Sequence, residues 1–333
     1  MDKVVIDGRM GEGGGQILRS SLTLAMLYGK EIEINHIRGK RPKPGLMRQH
    51  LTCVKAAQTI CNAKVDGAEL GSSRLTFKPG PIKGGNYKFD VGSAGSTTLV
   101  FQTILLPLLQ AEGVSTVEFG GGTHNPFAPP LTEIERSFLP LLRDMGARIE
   151  IEAERWGFMP AGGGKWRIRI QPAALRPIER VKRGELNHSR LTAYCYNIPG
   201  KVGEREVQAY LSLREHPVHE SRQRKPEAGC AGNLLAVDLQ FDDHRICISE
   251  LGQVRRRAEL VSKLLSQKVK SYLDSKAVLD EHLTDQMMLP MLIAGGGRFS
   301  IAEWSLHAET NAEVIELFTS RKIECDGAIM WME

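Results

Sequence analysis

The feature that most constrains this chain is a run of four glycines in Gly11-Glu12-Gly13-Gly14-Gly15-Gln16-Ile17-Leu18-Arg19. It follows Val4-Val5-Ile6-Asp7, which predicts a strand, and leads into residues 17–28, which predict a helix. A glycine-rich turn at this junction exposes backbone N–H groups at the positive end of the helix, where an anion such as phosphate is stabilised. Many such turns bind nothing, so these residues alone leave both interpretations open.

Two charged side chains in this run narrow the choice of ligand. Arg19, about one turn into the helix, can offer a fork of charged donors to a phosphate. Glu12 would repel a phosphate unless a cation lies between them, which favours a bound Mg²⁺ or Mn²⁺. The run is not a Walker A loop, since no Gly-Lys-Ser/Thr follows. It is not a dinucleotide fingerprint either, since Gln16 stands where the third glycine belongs.

The next part of the chain is basic. No acidic residue occurs between Glu33 and Asp66, and Pro42 and Pro44 stiffen the loop between them. The segment contains seven cations: Arg38, Lys40, Arg41, Lys43, Arg48, Lys55 and Lys64. Such a segment attracts polyanions, although a solvated basic loop is the alternative.

Length and composition set the class of protein. The 333 residues suffice for two domains, and the net charge of +5 is only mildly basic. The six cysteines include no Cys-x-x-Cys pair, which argues against a zinc site or a disulfide framework and fits a reducing compartment. Met1-Asp2-Lys3 lacks the shape of a signal peptide, and the apolar run 99–109 is too short to span a bilayer. We therefore expect a cytoplasmic protein with no membrane partner.

Hydrophobic periodicity indicates an internal repeat. Two consecutive β-α-β-α-β-β units of roughly 80 residues are predicted, and a third resumes near the C-terminus, with its first strand at residues 178–182. The predicted α/β (α+β) chain has a large domain, 1–183 plus 278–333, with repeats at about 1–80, 81–172, and 173–183 with 278–333. Residues 184–277 are predicted as a small inserted α+β domain, whose basic outer face is either solvated or in contact with nucleic acid.

Four local predictions concern single elements. They are a polar loop at 222–226, a helix over 253–273, a helix that begins at Asp285-Gln286, and a loop holding His307 ahead of a helix over 308–318. An exposed neutral imidazole can attack an activated phosphorus and form a phosphoramidate. A surface or helix-capping histidine is the alternative.

The sequence closely resembles RNA 3′-terminal phosphate cyclases over essentially its full length. The stretches that carry the resemblance are long and occur in the family's order. They are the glycine run 11–19, Arg41-Pro42-Lys43-Pro44-Gly45-Leu46-Met47-Arg48-Gln49-His50, Gly92-Ser93-Ala94-Gly95-Ser96, Gly162-Gly163-Gly164, Asp285-Gln286 with Leu289-Pro290, and His307-x-x-Thr310-Asn311.

The resemblance implies three β-α-β-α-β-β units with a thioredoxin-like domain inserted in the third. It also implies the chemistry. A histidine, here His307, attacks the α-phosphorus of ATP and becomes adenylylated, and AMP then passes to an RNA 3′-phosphate. The neighbouring 2′-OH expels AMP and leaves a 2′,3′-cyclic phosphate.

The resemblance assigns roles to further residues. Arg19, Arg38 and Arg41 are expected to bind phosphates, with Gln49 and Gln102 orienting phosphate oxygens. Glu12 is the expected metal ligand. The remaining nucleotide-binding candidates are Pro129, His282, Asp285 and Gln286.

Three of these assignments leave something open. Pro129 and His282 match positions that pack around adenine, but tyrosine is expected where His282 stands. Asp285 is expected either to hold Nδ1 of His307 or to bind metal. Glu309, beside the nucleophile, is expected to raise the pKa of His307.

Two other functions are the alternatives to this enzyme. A non-catalytic ribosome-assembly branch of this family lacks the histidine, so His307, Glu12 and Arg41 together favour the enzyme. An enolpyruvyl transferase shares related folding units but needs neither ATP nor His307. The physiological RNA, the oligomeric state, the metal and the nucleotide preference stay open.

Overall fold

A computed structural model describes residues 3–333 of the chain. Met1 and Asp2, which begin the segment expected to lack a signal peptide, lie outside the described residues. The described part is a mixed α/β structure built from four four-stranded sheets, so the predicted fold class is confirmed. No helix of residues 3–333 is both long and apolar enough to cross a membrane.

The first sheet follows the predicted β-α-β-α-β-β order. Its elements are β1 (Val4–Asp7), α1 (Gly15–Tyr28), β2 (Ile32–Asn35), α2 (Arg48–Cys61), β3 (Lys64–Asp66) and β4 (Leu75–Lys78). The strands lie in the order β1-β2-β4-β3, with β1 parallel to β2 and the other pairs antiparallel. The position of strand β3 could not be predicted, since three residues with two exposed charges carry too short a pattern.

The same topology occurs twice more. The second unit contains β5 (Asn86–Asp90), α3 (Thr97–Leu109), β6 (Ser115–Gly121), α4 (Leu131–Glu133), a π-helical stretch (Ile134–Phe138), α5 (Leu139–Asp144), β7 (Arg148–Arg155) and β8 (Gly164–Gln171). Its strand order, β5-β6-β8-β7, again begins with a parallel pair and continues antiparallel.

The third unit is interrupted after its first strand. It begins with β9 (Glu179–Arg180) and then passes through a separate sheet. That insertion contains β10 (Leu186–Tyr196), α6 (Gly200–Leu213), β11 (Glu220–Arg224), β12 (Gly232–Phe241), β13 (Arg245–Leu251) and α7 (Ala258–Ser275). The unit then resumes with α8 (Glu281–Ala294), β14 (Gly297–Ser300), α9 (Leu306–Glu316), β15 (Glu324–Cys325) and β16 (Ile329–Met332). Its sheet, β15-β16-β14-β9, repeats the topology of the first two.

The inserted sheet has a different order, β11-β10-β12-β13. The strand β11 is parallel to β10, and β12 and β13 form an antiparallel hairpin. The domain boundaries at 184 and 277, and the expected likeness of this unit to thioredoxin, stay predictions.

The structure corrects four local predictions. Residues 222–224, predicted as part of a polar loop, lie in the edge strand β11 (220–224). Their backbone pairs with β10, and this pairing does not depend on the polarity of their side chains. Helix α7 begins at Ala258 rather than 253, since Arg255 has a left-handed backbone (φ 68°) that no helix accommodates. Helix α8 begins at Glu281 rather than Asp285, because Asp280 accepts hydrogen bonds from the N–H groups of residues 282 and 283.

The fourth correction concerns His307, which lies in the first turn of α9 and not in a loop. The hydroxyl of Ser305 accepts a hydrogen bond from the N–H of Ala308 at 3.3 Å and so starts the helix two residues earlier than predicted. A helical backbone fixes the direction of the imidazole far better than a loop would.

Helix α1 is the centre of the large layer of helices. It packs against α2, α3 and α9, so nearly every side is buried. Its start contacts the starts of two neighbours: Gln16 reaches His307 of α9, and Gly15 lies against His50 of α2. Gln49 of α2 in turn accepts a hydrogen bond from the N–H of Ser96, which caps α3. Four helix N-termini therefore meet, each with a partial positive charge.

Candidate active site

The glycine turn is shaped by its neighbours. Gly11 (φ 46°) and Gly13 (φ 60°) have left-handed backbones, and a Cβ atom on either would strike the side chain of Thr310 or Lys40. The Thr310 hydroxyl accepts a hydrogen bond from the N–H of Glu12 at 3.0 Å. Residues 11–13 are thus fastened to α9, which carries His307.

Glu12 lies at the base of the site. Its side chain is only 6% exposed. One carboxylate oxygen accepts a hydrogen bond from the guanidinium of Arg41 and lies 3.3 Å from Nδ1 of His307. Arg41 and His307, which come from distant parts of the chain, thus contact the same carboxylate.

A chain of hydrogen bonds sets the tautomer of His307. The carboxylate of Asp285 accepts from the amide nitrogen of Gln16 at 2.5 Å, so the amide oxygen of Gln16 faces the other way. That oxygen lies 3.0 Å from Nδ1 of His307 and can only accept, so Nδ1 carries the proton. In the neutral ring Nε2 then holds the lone pair, and within residues 3–333 it has no hydrogen-bond partner.

The charge state of His307 suits a nucleophile. Burial lowers its pKa below the ordinary value of 6.5, and Arg19, Arg41 and His282 act in the same direction, while Glu12 opposes them. The ring is therefore mostly neutral at pH 7. The expected effect of Glu309 is wrong: the pKa of His307 is lowered, and Glu12 is the carboxylate that faces the ring.

Asp285 does not take the place expected at Nδ1 of His307, because Gln16 and Glu12 occupy it. The carboxylate of Asp285 instead contacts Gln16, which in turn contacts His307. The backbone oxygen of Asp285 accepts a hydrogen bond from the side-chain amide of Asn311 at 3.0 Å. Burial raises the pKa of Asp285 to about 7, with His282 and Arg19 opposing and Asp280 and Glu12 adding to the rise. A carboxyl group in this state is easily protonated near neutral pH.

Arg19 is the cation that most clearly lacks a partner. Its guanidinium lies beside the glycine turn, and a Cβ on Gly15 would be 3.2 Å from it. Burial lowers its pKa, although Cys53, Glu12 and Asp285 oppose the effect. No salt bridge or hydrogen bond from this guanidinium is present within the described part of the chain. A half-buried cation without a partner is costly unless an anion binds to it.

His50 adds a hydrogen-bond donor to the site but no charge. Burial lowers its pKa to about 3, helped by Arg19 and Arg38, so the ring is neutral. Its Nδ1 accepts from the N–H of Met47 at 3.3 Å, which leaves the proton on Nε2. That Nε2 lies against Gly15, so His50 presents an N–H donor next to Arg19.

Arg38 makes its hydrogen bonds within the basic loop. Its guanidinium donates to the carbonyl oxygens of Lys43 (2.5 Å) and Gly45 (3.1 Å), so it braces the basic loop. Burial and then the charge of Arg41 lower its pKa. Direct phosphate binding by Arg38 stays a prediction.

The remaining candidates form two groups. Gln49 is bonded to the N–H of Ser96 at 3.1 Å, at the start of α3. The amide of Gln102 donates to Gln286 at 2.8 Å, and Gln286 donates to the backbone oxygen of His282 at 2.9 Å. The side chain of His282 is exposed near the start of α8. Desolvation by the surrounding protein lowers its pKa, but the nearby carboxylates outweigh this effect and raise it; they are Asp280, Glu133, Glu281 and Asp285.

Pro129 lies on another loop of the site, and its carbonyl accepts from the hydroxyl of Thr98 at 2.8 Å. This bond ties the loop to the first turn of α3. The adenine contacts expected for Pro129 and His282 stay predictions.

Sequence reasoning missed three residues of this site: Gln16, His50 and Thr310. Each was part of a quoted motif, but none was given a role. For Gln16 the available signal was polarity, because it is a polar residue at the start of a largely apolar helix. The partners of Gln16 and Thr310 lie almost 300 positions away, at 307 and 12, which no local pattern reveals.

The residues present also bear on the predicted metal. Within residues 3–333 no group of three or more His, Cys, Asp and Glu side chains forms a metal site. Glu12 is a single buried carboxylate, already balanced by Arg41. This fits Mg²⁺ or Mn²⁺ held jointly by one carboxylate and substrate phosphates, and does not fit an ion held by the protein alone.

A neutral imidazole with an available Nε2, beside cationic and N–H donors, suits attack on a phosphate ester. Comparison with known proteins identifies the family. The sequence model described as "RNA 3'-terminal phosphate cyclase" matches residues 10–325. The chain belongs to the RNA 3′-terminal phosphate cyclase family. The resemblance noted in the sequence is therefore confirmed.

Two relatives named "RNA 3'-terminal phosphate cyclase" support this membership. One, from Pseudomonas fluorescens, is 44% identical over 327 residues, covering 97% of this chain and 94% of its own length. The other, from Ectopseudomonas mendocina, is 43% identical over 333 residues, covering 98% and 96%. These matches confirm the expected enzyme class.

Among solved structures, the chain is similar to the enolpyruvyl transferase NikO from Streptomyces tendae. The match has a TM-score of 0.29 and 14% identity, and it covers 51% of this chain and 33% of that one. A likeness this weak carries no argument about fold or function.

Proposed function

We propose that this protein converts an RNA 3′-terminal phosphate into a 2′,3′-cyclic phosphate at the expense of ATP, through an AMP adduct of His307. The names of its relatives support the substrate class. The observation that carries the mechanism is the state of His307: Nδ1 is held by Gln16 and Glu12, while Nε2 points away from both with a lone pair.

The first step is adenylylation of His307. Nε2 attacks the α-phosphorus of ATP, an N–P bond forms, and the bond to the leaving pyrophosphate breaks. Positive charge that develops on the imidazole is stabilised by Glu12 and, through Gln16, by Asp285. Arg19, Arg41 and the N–H of His50 bind the phosphate oxygens, with four helix N-termini behind them.

The second and third steps return the histidine to its starting state. An oxygen of the RNA 3′-phosphate attacks the phosphorus of the adduct, the N–P bond breaks, and AMP passes to the RNA. The terminal 2′-OH then attacks the 3′-phosphorus, loses its proton and expels AMP. In this proposal Gln49, whose amide oxygen accepts from the N–H of Ser96 at the start of α3, orients the RNA phosphate.

A divalent metal, Mg²⁺ or Mn²⁺, would be held by Glu12 together with the phosphates of ATP. When bound it supplies charge neutralisation at the triphosphate. The residues of the chain determine the rest: Arg41 holds Glu12 in place, and burial keeps its carboxylate directed at the site.

Adenine recognition is assigned to Pro129 and His282, supported by the pair Gln102 and Gln286. We also propose cytoplasmic localisation, and a division into a large domain (1–183 with 278–333) that holds all of these residues and an inserted domain (184–277).

Cyclisation is tested with an RNA that carries a radioactive 3′-terminal phosphate. After incubation with ATP and Mg²⁺, the label should become resistant to phosphatase, and AMP and pyrophosphate should be released. An RNA whose last nucleotide lacks the 2′-OH should accumulate as adenylylated RNA. If the label stays sensitive to phosphatase under all conditions, the proposed activity is wrong.

A further inference from the structure

A basic groove runs away from the candidate active site along α2. It lies between α2, the loop before β4 and strand β5, and its volume is about 300 Å³. Arg48, Lys55 and Lys88 line it with positive charge, while Leu51, Leu70 and Val91 supply apolar surface. The mechanism above uses none of these six residues.

The charge of the groove favours a polyanion. Lys55 and Lys88 are exposed and, within the described residues, neither has a salt bridge. In the part of the chain that the structure describes, Asp90 is the only acidic side chain that lines the groove, and one of its oxygens accepts from the N–H of Gly92 at 2.7 Å. The groove therefore has three cationic side chains and one carboxylate, and that carboxylate already accepts a backbone hydrogen bond. Unpaired lysines along a groove are the usual contacts of a nucleic-acid backbone.

The groove is continuous with the active site. Arg48, at one end, is the residue before Gln49, and its guanidinium donates to the carbonyl of Gly92 at 3.2 Å. Gln49 itself accepts from the N–H of Ser96, four residues further along the same turn. An RNA strand whose 3′-terminal phosphate is bound at Gln49 therefore leaves the active site next to Arg48.

The spacing along α2 suits an extended strand. Arg48, Thr52 and Lys55 lie at positions i, i+4 and i+7, on one face of the helix. At a rise of about 1.5 Å per residue, Arg48 and Lys55 are separated by about 10 Å along the axis. This distance gives room for more than one nucleotide between them, with the bases over the apolar side chains.

We propose that this groove binds the single-stranded RNA segment that precedes the 3′-terminal phosphate, with Lys55 and Lys88 contacting its backbone. The proposal rests on the proposed function, since it assumes that the terminal phosphate is bound at the active site. The contacts are to phosphates and to apolar surface, so binding should depend on length and salt but little on sequence.

The first test measures binding and needs no catalysis. Fluorescently labelled RNAs of ten nucleotides and of two nucleotides, each ending in a 3′-phosphate, are titrated with wild type and with K55Q/K88Q. For single-stranded nucleic acid, each phosphate contact adds about 0.7 to the slope of log affinity against log salt concentration. Two contacts add about 1.4, which corresponds to roughly 25-fold in affinity at 0.1 M salt relative to 1 M. The ten-nucleotide RNA should lose 10- to 25-fold in affinity, by the same estimate, and the two-nucleotide RNA much less.

The matched control is K201Q/K263Q. It removes the same charge from exposed lysines of α6 and α7, which belong to the inserted unit. Equal weakening by the control would show a general charge effect and overturn the proposal. So would unchanged binding of the longer RNA by K55Q/K88Q, or equal affinity of wild type for the two RNAs.

The second test separates this proposal from the proposed function. With ATP alone, K55Q/K88Q should label at the wild-type rate, and its KM should rise for the ten-nucleotide RNA but hardly for the two-nucleotide one. If wild type neither labels nor cyclises, the proposed function fails while the binding test still decides the groove. If wild type cyclises both RNAs and the variant matches it on each, the groove proposal alone is wrong.

Discussion

Gln16→Met is the sharpest test of the hydrogen-bond chain behind the nucleophile. Methionine has a similar length and helix propensity but neither donates nor accepts as an amide does. The change removes the 3.0 Å contact to Nδ1 of His307 and the 2.5 Å contact to Asp285. It leaves Nδ1 of His307 with Glu12 alone, at 3.3 Å, so the ring is held less firmly and the tautomer with its proton on Nε2, which cannot attack, becomes more populated.

The expected magnitudes follow from these two bonds. A neutral hydrogen bond contributes about 0.5–1.5 kcal/mol, and with the loss of tautomer selection we expect adenylylation to slow about 10- to 30-fold. The bond to Asp285 is charge-assisted and worth about 1.5–3 kcal/mol of stability. Since burial already raises the pKa of Asp285 to about 7, protonation relieves part of this cost in acid. The destabilisation should therefore be larger at pH 8 than at pH 6.

The assay is single-turnover labelling of the protein with α-labelled ATP and Mg²⁺, quenched in denaturant, with Tm measured at pH 6 and pH 8. Gln240→Met, at an exposed position of β12, is the matched control and should change neither quantity. Asp285→Leu should slow labelling to a similar degree, and the double variant Gln16→Met with Asp285→Leu should be little worse than either alone. A wild-type labelling rate for Gln16→Met, or full additivity in the double variant, would refute the hydrogen-bond chain.

The remaining predictions concern the phosphate site and the charge of the nucleophile. Arg19→Lys keeps the charge but loses the planar fork, so the KM for ATP in the labelling reaction should rise at least about tenfold; an unchanged KM would exclude Arg19 from the phosphate site. Gly15→Ala should cut kcat/KM for ATP by about tenfold or more, because its Cβ would displace His50, while Gly113→Ala, with nothing within 4 Å, should have no effect. The pKa of His307 is lowered and its neutral form reacts, so in Asp285→Leu, which lacks the carboxyl with a pKa of about 7, kcat/KM for ATP should be constant near pH 7 and fall only below pH 6.5; a fall centred above pH 7 in this variant would contradict the charge state of His307.

Much of the framework could be predicted from local patterns. Alternating strands such as Trp166-x-Ile168-x-Ile170 and the apolar helix of residues 17–28 bury their hydrophobic residues as expected, and glycines end helices at Gly29 and Gly295 with left-handed backbones. The repeat was visible because its three copies use the same order of elements. Two of the four local errors arose where one capping residue, Ser305 or Asp280, moved the start of a helix.

The relations within the site could not be predicted this way. The bond between Gln16 and His307 joins positions 291 apart, and only the packing of α1 against α9 brings them together. The partner of Nδ1 was left open for the same reason, since Asp285, Gln16 and Glu12 are all polar and nothing local ranks their distances. The exposure of His307 and the sign of its pKa shift likewise depend on burial by other segments.

The central claim is that Nε2 of His307 is the atom that accepts AMP. Wild type and His307→Asn are incubated with α-labelled ATP and Mg²⁺ without RNA, and the protein is then denatured and digested. The account predicts label on the peptide that contains His307, lost in acid, stable in alkali and absent from His307→Asn. Label of equal intensity in His307→Asn, or no label on wild type with or without RNA, would contradict it.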